Sequence, residues 1–351
     1  MSQKSWWKGP VTAEPNFGNL LKVLRREQPD RPTLFEFFLN GPLYLRIAGL
    51  GADAWPANEY DAIRLRMRAY RDVGYDYTTE RLPGFFFPTA EQDHLQTISQ
   101  NEGVMIRDRS SFDAYAWPDP DRADYAMLDT IGRELPRGMK LVVHGPGGVL
   151  ENAISILGYE NLCYLISDGD PLATDVFESV GSRLLRYYQK VLPYESVGAI
   201  ISNDDWGFKS QPMLSPDDMR RFVFPWHKKI VAAAHQAGKP AILHSCGNLA
   251  SVMDDIIDDI RYDGKHSYED TILPVEQAYE QYGKRIAILG GLDLDFVCRA
   301  SPEDVCKRAR AMLEQTAGRG GYALGTGNSV PKYVPQENYF ALASAATDAR
   351  R

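Results

Sequence analysis

Short apolar stretches alternate along the chain with longer stretches whose apolar residues recur at helical spacing. Eight short stretches predict strands: residues 32–38, 76–82, 140–146, 196–203, 239–246, 264–270, 285–291 and 320–326. The second and the sixth of them are polar and are indicated only by their spacing. Strands that alternate regularly with helices favour a parallel sheet, because parallel neighbours need a crossover connection.

Helices are predicted between the strands, over residues 57–73, 173–192, 249–260, 302–316 and 336–349. The stretch 249–260 has the clearest pattern, because its apolar residues form one stripe along a helix. The opposite face carries four aspartates and is expected to be a solvated surface rather than a cation site; they are Asp254, Asp255, Asp258 and Asp259.

Eight strand–helix units in 351 residues match a single (β/α)8 TIM barrel with an N-terminal extension. Residues 83–135 form a long insertion after strand two and are rich in Phe, Pro, Asp and Tyr. We interpret this insertion as a lid or a packed excursion, so the whole chain 1–351 is expected to be one domain.

Charge and composition exclude several function classes. Lys and Arg number 39 and Asp and Glu number 47, which gives a net charge of −8 and argues against a nucleic-acid partner. No apolar run is long enough for a membrane span, and no secretory leader is visible. The four cysteines have irregular spacing, which is untypical of a disulfide framework, so a reducing, cytoplasmic location is expected.

Polar residues collect where the predicted strands end, which is the catalytic face of such a barrel. Carboxylates there can act as general acids when burial raises their pKa. The candidate catalytic acids are Glu36, Asp205 and Glu269, and the candidate substrate-binding residues are Glu80, His144, Asn203 and Asn328.

His244 and Cys246 form the sharpest single feature, because residues two apart on a strand point to the same face. An imidazole and a thiolate together suit Zn²⁺, and a catalytic zinc needs about three protein ligands. Glu269 is the chosen third ligand, with Glu36 and Asp205 as alternatives and Asn328 as a weaker one. The competing interpretation is a buried cysteine beside a hydrogen-bonded histidine.

Three segments resemble the uroporphyrinogen decarboxylase superfamily: LHSCGN at 243–248, LGGLD at 289–293 and GTGNSVPKYVPQEN at 325–338. The resemblance covers roughly residues 17–348 and implies a (β/α)8 barrel. True decarboxylases of this superfamily carry an arginine-rich signature after the first strand, but here Glu36 stands in that region. A substrate with eight acidic side chains would meet a rim of carboxylates, which disfavours it electrostatically.

The resemblance is greater to the branch of corrinoid-dependent methyltransferases, including O-demethylase components and methylcobalamin:coenzyme M enzymes. Their zinc motif is His-x-Cys with a distant Cys. His244 and Cys246 match the first two ligands, and Asn328 stands at the position of the third. The resemblance also implies a corrinoid-protein partner and a possible homodimer.

The leading hypothesis is therefore a methyltransferase that moves a methyl group from a small methylated substrate, such as an aryl methyl ether, to a corrinoid protein. In such a reaction an acid or a zinc ion at the ether oxygen would stabilise the leaving group. The alternatives are a decarboxylase acting on a smaller substrate and a non-catalytic scaffold that binds a corrinoid protein.

Overall fold

The computed structural model describes residues 5–90, 100–101 and 103–348. Seven parallel strands form one sheet in sequence order, from β1 to β7. The strands are β1 (Tyr77–Glu80), β2 (Lys140–His144), β3 (Val197–Asn203), β4 (Ala241–His244), β5 (Gly264–His266), β6 (Ala287–Leu289) and β7 (Tyr322–Ala323). Each strand pairs with the next one in the chain, as the alternating pattern predicts.

Helices follow the strands and cover the sheet. Those before β2 are α1 (Gly18–Leu24), α2 (Gly41–Ile47), α3 (Glu59–Val73), α4 (Arg109–Ala114) and α5 (Ala126–Glu134). Those between β2 and β4 are α6 (Val149–Leu157), α7 (Tyr159–Ser167), α8 (Pro171–Val191), α9 (Pro216–Asp218) and α10 (Phe224–Gln236). The rest are α11 (Val275–Tyr282), α12 (Leu294–Arg299), α13 (Pro302–Thr316) and α14 (Gln336–Thr347).

Among the described residues, the sheet therefore has seven strands and not the predicted eight. Residues 32–38, predicted as the first strand, contribute only one isolated parallel bridge, from Leu34 to Leu324 beyond β7. The segment is apolar enough to be buried. Its backbone pairing with the segment around Leu324 consists of hydrogen bonds donated by Phe35 N–H and Leu324 N–H. Apolar pattern alone does not distinguish a buried extended segment from a paired strand.

The same segment also contacts β1, at the other edge of the sheet, through side chains. The Tyr77 hydroxyl accepts from Glu36 N–H at 2.8 Å and donates to the Glu36 carbonyl at 2.7 Å. The Thr79 hydroxyl donates to the Phe37 carbonyl at 2.5 Å. Residues 33–37 thus join both edges of the sheet, and hydroxyl groups close one of the two seams.

The insertion 83–135 carries α4 and α5, and residues 91–99 and 102 within it lie outside the described residues. Phe85 and Phe87 are buried, and the Phe85 ring stacks on Tyr187 of α8 at 5.3 Å. The described part of the insertion therefore packs on the helix layer. Its predicted role as a lid stays a prediction.

The stretch 249–260 buries the predicted apolar stripe, although it forms 3₁₀ and π turns instead of an α-helix. Its aspartates pair with cations on neighbouring elements, as Asp254 and Asp258 do with Arg285. In the described part of the chain, no helix combines the length and apolar character that crossing a membrane requires.

Candidate active site

Three polar residues lie side by side where β3, β4 and β5 end. The strand register places Asn203 opposite His244, and His244 opposite His266. Residues opposite one another in neighbouring parallel strands point to the same side of the sheet. The fold thus brings one amide and two imidazoles to one face.

Asp205, His244 and Cys246 form a compact cluster at this face. One ligand atom from each lies within 4.8 Å of the other two. Cys246 Sγ is 4.0 Å from His244 Nε2, close to the roughly 3.6 Å that a tetrahedral zinc would require between nitrogen and sulfur. In the part of the chain that the structure describes, this is the group of three with a metal-binding arrangement.

Hydrogen bonds hold the carboxylate and the sulfur of this cluster in place. Asp205 Oδ1 accepts from the Cys246 backbone N–H at 2.9 Å. Cys246 Sγ accepts from Ser267 Oγ at 3.3 Å and from Asn328 Nδ2 at 3.2 Å. Burial raises the pKa of Asp205 and raises the pKa of the Cys246 thiol to about 12, because a buried charge is unfavourable.

The two imidazoles behind the cluster are buried and in contact. His244 Nδ1 lies 2.8 Å from His266 Nδ1, and His266 Nε2 lies 3.3 Å from the Thr326 carbonyl oxygen. Burial lowers the pKa of both histidines, that of His266 to about 3. Both rings are therefore neutral at physiological pH.

Glu36 is fully buried and bound to Thr326 rather than to the cluster. Thr326 N–H donates to Glu36 Oε1 at 2.7 Å, and the Thr326 hydroxyl lies 2.7 Å from Glu36 Oε2 and 2.5 Å from the Asn328 carbonyl. The hydroxyl is the donor in both contacts, so its proton is shared between Glu36 Oε2 and the Asn328 carbonyl oxygen. Burial raises the pKa of Glu36 to about 8, although the hydrogen bonds from Thr326 act in the opposite direction.

Glu80 is also buried, but Arg66 of α3 engages both of its carboxylate oxygens, at distances down to 2.7 Å. Burial raises the pKa of Glu80 to about 7, although Arg66 acts in the opposite direction. The structure thus gives this predicted substrate-binding residue a partner in the helix layer.

Asp204, next to Asp205 in the chain, points into the helix layer. Its carboxylate accepts from Leu150 N–H at 3.0 Å and Glu151 N–H at 2.8 Å, in the first turn of α6, and contacts His227 Nε2 at 2.9 Å. A Cβ at Gly148 would lie 2.0 Å from the Asp204 side chain, so only glycine fits there. Asp204 therefore anchors a helix.

The remaining predicted residues surround the cluster. The buried Oδ1 atom of Asn203 has no hydrogen-bond partner among the described residues. His144 stacks edge-on against Phe37 at 4.9 Å, and Phe37 also contacts the His244 ring at 4.6 Å. His144 lines a cavity of about 270 Å³, and burial lowers its pKa to about 4.

Glu269, predicted as the third metal ligand, lies outside the cluster, and the structure places Asp205 there in its stead. The reason is backbone geometry: β5 ends at His266, so Glu269 belongs to the following loop. With Asn328, Glu269 lines a cavity of about 820 Å³, whose ionisable residues are Lys209, Glu269, Asp270, Asp293, Asp295 and Arg299.

Three residues outside the predicted site set support the cluster from behind. His266 and Ser267 contact His244 and Cys246 respectively, and Lys265 donates to the carbonyls of Ser245 at 3.2 Å and Ser267 at 2.7 Å. Burial lowers the pKa of Lys265 to about 8. A histidine near the end of each of two consecutive predicted strands was the available signal for the imidazole pair.

This parallel sheet, with helices on its outer side and polar residues at the strand ends, defines an α/β protein with a site at the carboxyl edge. The profile of the uroporphyrinogen decarboxylase (URO-D) family matches residues 106–349, and the chain belongs to that family.

Curated relatives carry the same family name over a limited region. Uroporphyrinogen decarboxylase from Syntrophotalea carbinolica is 29% identical over 136 residues, which are 38% of this chain and 37% of that protein. The enzyme of the same name from Geobacter metallireducens is 25% identical over 135 residues, again 38% of this chain and 37% of that protein. The matched region thus spans little more than a third of the length of these relatives.

Solved structures share the fold over nearly the whole chain. A methyltransferase from Methanosarcina mazei superimposes with a TM-score of 0.73 at 17% identity, covering 97% of this chain and 100% of that one. A B12-independent methionine synthase from Shewanella sp. W3-18-1 gives 0.55 at 12% identity, covering 91% and 97%. At these identities the likeness establishes the fold.

Proposed function

We propose that this chain is a methyltransferase that transfers a methyl group from a small methylated substrate, such as an aryl methyl ether, to a corrinoid protein. The observation that carries the proposal is the cluster of Asp205, His244 and Cys246 at the carboxyl edge of the sheet. The fold shared with the Methanosarcina mazei methyltransferase supports it.

The donor set of the cluster fits zinc. It offers one oxygen, one nitrogen and one sulfur, which leaves a fourth position open for substrate. Zinc bound there would act as a Lewis acid toward a substrate oxygen. Asp205, His244 and Cys246 are therefore the proposed ligands, and Asn328 is assigned to the sulfur, to which its amide donates.

Other residues of the chain would position the substrate. The free Oδ1 atom of Asn203 stands opposite His244 and can accept a hydrogen bond from a bound molecule. The cavity beside Asn328 has a volume of about 820 Å³, enough for a single aromatic ring with its substituents. Glu269, on the wall of this cavity, is a candidate acid for a departing oxygen.

The charge around this cavity favours a neutral or cationic substrate. Its wall carries the acids Glu269, Asp270, Asp293 and Asp295 against the cations Lys209 and Arg299. An excess of carboxylates repels a polyanion. A porphyrinogen with many carboxylates is therefore a poor match for this wall.

The test compares metal content and methyl transfer in three proteins. Wild type is expected to hold about one zinc per chain and to methylate cob(I)alamin from a methoxylated aromatic donor, observed as the absorbance of methylcobalamin. H244A/C246A should lose both properties. The matched control H235A/C163A removes a histidine and a cysteine outside the cluster and should keep both. Full activity in H244A/C246A would contradict the site assignment.

A decarboxylase is the second candidate, because the curated relatives bear that name. It predicts release of carbon dioxide from a carboxylated substrate with no corrinoid present. Release that persists in H244A/C246A would favour it over methyl transfer. Tight binding of a corrinoid protein without any turnover would instead identify a scaffold.

We further propose a cytoplasmic location. All four cysteines are free thiols in the structure, which suits a reducing compartment.

A further inference from the structure

Two buried imidazoles face each other through the same type of nitrogen. His244 Nδ1 and His266 Nδ1 are 2.8 Å apart, which is hydrogen-bond distance. One of these nitrogens must donate and the other must accept, so only one proton lies between them. The histidine that carries this proton determines which ring nitrogen of His244 is unprotonated.

The Thr326 carbonyl breaks the symmetry of the pair. Its oxygen lies 3.3 Å from His266 Nε2, and a carbonyl oxygen can only accept. A neutral His266 therefore carries its proton on Nε2 and presents a lone pair at Nδ1. His244 must then donate from Nδ1, which leaves Nε2 of His244 unprotonated. If Nε2 of His266 were unprotonated instead, this nitrogen and the Thr326 carbonyl oxygen would be two acceptors facing each other.

The unprotonated atom faces the cluster. Nε2 is the His244 nitrogen that lies 4.0 Å from Cys246 Sγ. A lone pair at this position is what a metal ligand requires, whereas an N–H there would exclude a metal.

We propose that His266 is a positioning residue, which fixes His244 in the Nδ1–H tautomer so that its Nε2 lone pair points toward Asp205 and Cys246. The inference rests on the proposed metal centre for its consequence, but the tautomer belongs to the chain itself. His266 touches no substrate and acts through His244.

The surroundings hold the His266 ring in one orientation. It is fully buried and packs edge-on against Phe35, with ring centroids 5.1 Å apart. Thr326, the acceptor for His266, is itself tied to Glu36 through its amide and its hydroxyl. Rotation of the ring would break the contact to Thr326, so the assembly fixes the direction of both hydrogen bonds.

The first experiment observes the tautomer directly in the full, metal-free chain. Side-chain ¹⁵N NMR of histidine-labelled protein distinguishes Nδ1–H from Nε2–H, and H244Q and H266L assign the two signals among six histidines. We expect Nδ1–H for His244 and Nε2–H for His266. In H266L, His244 should lose its preference for Nδ1–H. Nε2–H at His244 in the wild type overturns the proposal.

The second experiment measures Co²⁺ as a spectroscopic probe, in competition with a chelator. H266N keeps an acceptor near the position of Nδ1, whereas H266L removes it. We expect H266L to weaken Co²⁺ binding by about 10–100-fold and to change the visible spectrum, and H266N to stay within about threefold of wild type. Equal affinity in H266L and wild type overturns the proposal, as does equal weakening in both variants.

The two experiments separate this inference from the proposed function. If wild type binds neither Zn²⁺ nor Co²⁺, the metal centre fails, while the NMR result still decides the tautomer. If H266L does not fold, judged by thermal melting of the metal-free chain, the wild-type NMR spectrum and H266N still decide the outcome.

Discussion

Asp204 and Asp205 are neighbours in the chain, yet they belong to different parts of the molecule. Asp204 is buried in the helix layer, where it anchors α6 and contacts His227. Asp205 lies at the sheet edge beside His244 and Cys246. Asp204 accepts from donors that the fold supplies, whereas burial raises the pKa of Asp205, an effect that Lys265 opposes.

The direction in which a side chain points, rather than its residue type, therefore distinguishes carboxylates that stabilise the fold from carboxylates that line the site. Glu80 lines a cavity together with His144, but both of its carboxylate oxygens are bound by Arg66 of α3. On the opposite side, Asn203 keeps a free oxygen and Cys246 faces a carboxylate. An unsatisfied polar atom is expensive to bury, so the free Oδ1 of Asn203 beside the cluster marks a place where a ligand is expected.

The largest expected difference between the two aspartates is in their contribution to stability, which truncating each side chain in turn would test. Asp204→Ala leaves His227 and the first turn of α6 without their acceptor, and should lower the free energy of unfolding by about 3–5 kcal/mol. Asp205→Ala should cost about 1 kcal/mol, because it removes one acceptor, for Cys246 N–H. Chemical denaturation of both variants checks this. Equal losses would mean that the two carboxylates do not differ in role.

A large effect is also expected at the ion pair of the helix layer. Arg66→Met leaves Glu80 buried without its cation and should destabilise the fold by about 3 kcal/mol. Adding Glu80→Gln should recover most of that loss, because the uncompensated charge disappears. The double-mutant cycle is measured by urea denaturation. Additive losses would contradict a direct pairing of the two residues.

A further, pH-dependent effect is expected at Glu36. Its folded pKa of about 8 exceeds its ordinary value of 4.5, so the native state binds a proton more tightly than the unfolded chain. The associated stability is complete below about pH 4.5 and is lost as pH rises through 8.

Glu36→Gln imitates the protonated acid and should remove this dependence. Wild type and variant should differ by less than about 1 kcal/mol at pH 5, and the variant should be more stable by about 4 kcal/mol at pH 8. Denaturation curves at both pH values measure the difference. The same pH dependence of stability in both proteins would show that folding does not raise the pKa of Glu36.

The smallest effect is expected for the hydrogen bonds to Cys246 Sγ. Asn328→Ala removes one of the two hydrogen bonds to Cys246 Sγ and should weaken zinc binding by about threefold to tenfold, or about 1 kcal/mol. Ser267→Ala removes the other donor and serves as the matched variant. Isothermal titration with zinc compares them. Complete loss of binding in Asn328→Ala would make Asn328 a ligand.

The strand pattern predicted seven of the strands and their order, five from continuous apolar runs and two polar ones, 76–82 and 264–270, from their regular spacing. The prediction of a strand was wrong at residues 32–38. This segment is buried, but it forms a single β-bridge instead of a continuous series of backbone hydrogen bonds. Backbone pairing depends on where neighbouring segments lie, and local apolar pattern contains no such information.

The site was predicted in part. The spacing of His244 and Cys246 placed both side chains on one face, as the structure has them. The structure brings Asp205 rather than Glu269 to His244 and Cys246, because β5 ends at His266 and not at the predicted residue 270. Which residue completes a metal site stays a prediction. The partnership of His244 with His266 depends on strand register, which single-strand patterns do not determine.

The seam between β1 and residues 33–37 has a genetic consequence. Elsewhere in the sheet, backbone amides make the ladder, and they survive every substitution except proline. At this seam the hydroxyls of Tyr77 and Thr79 make the bonds. Changes as mild as tyrosine to phenylalanine or threonine to valine would therefore erase part of the closure. Closure at this seam therefore depends on the identity of two side chains, whereas pairing elsewhere in the sheet depends on backbone groups.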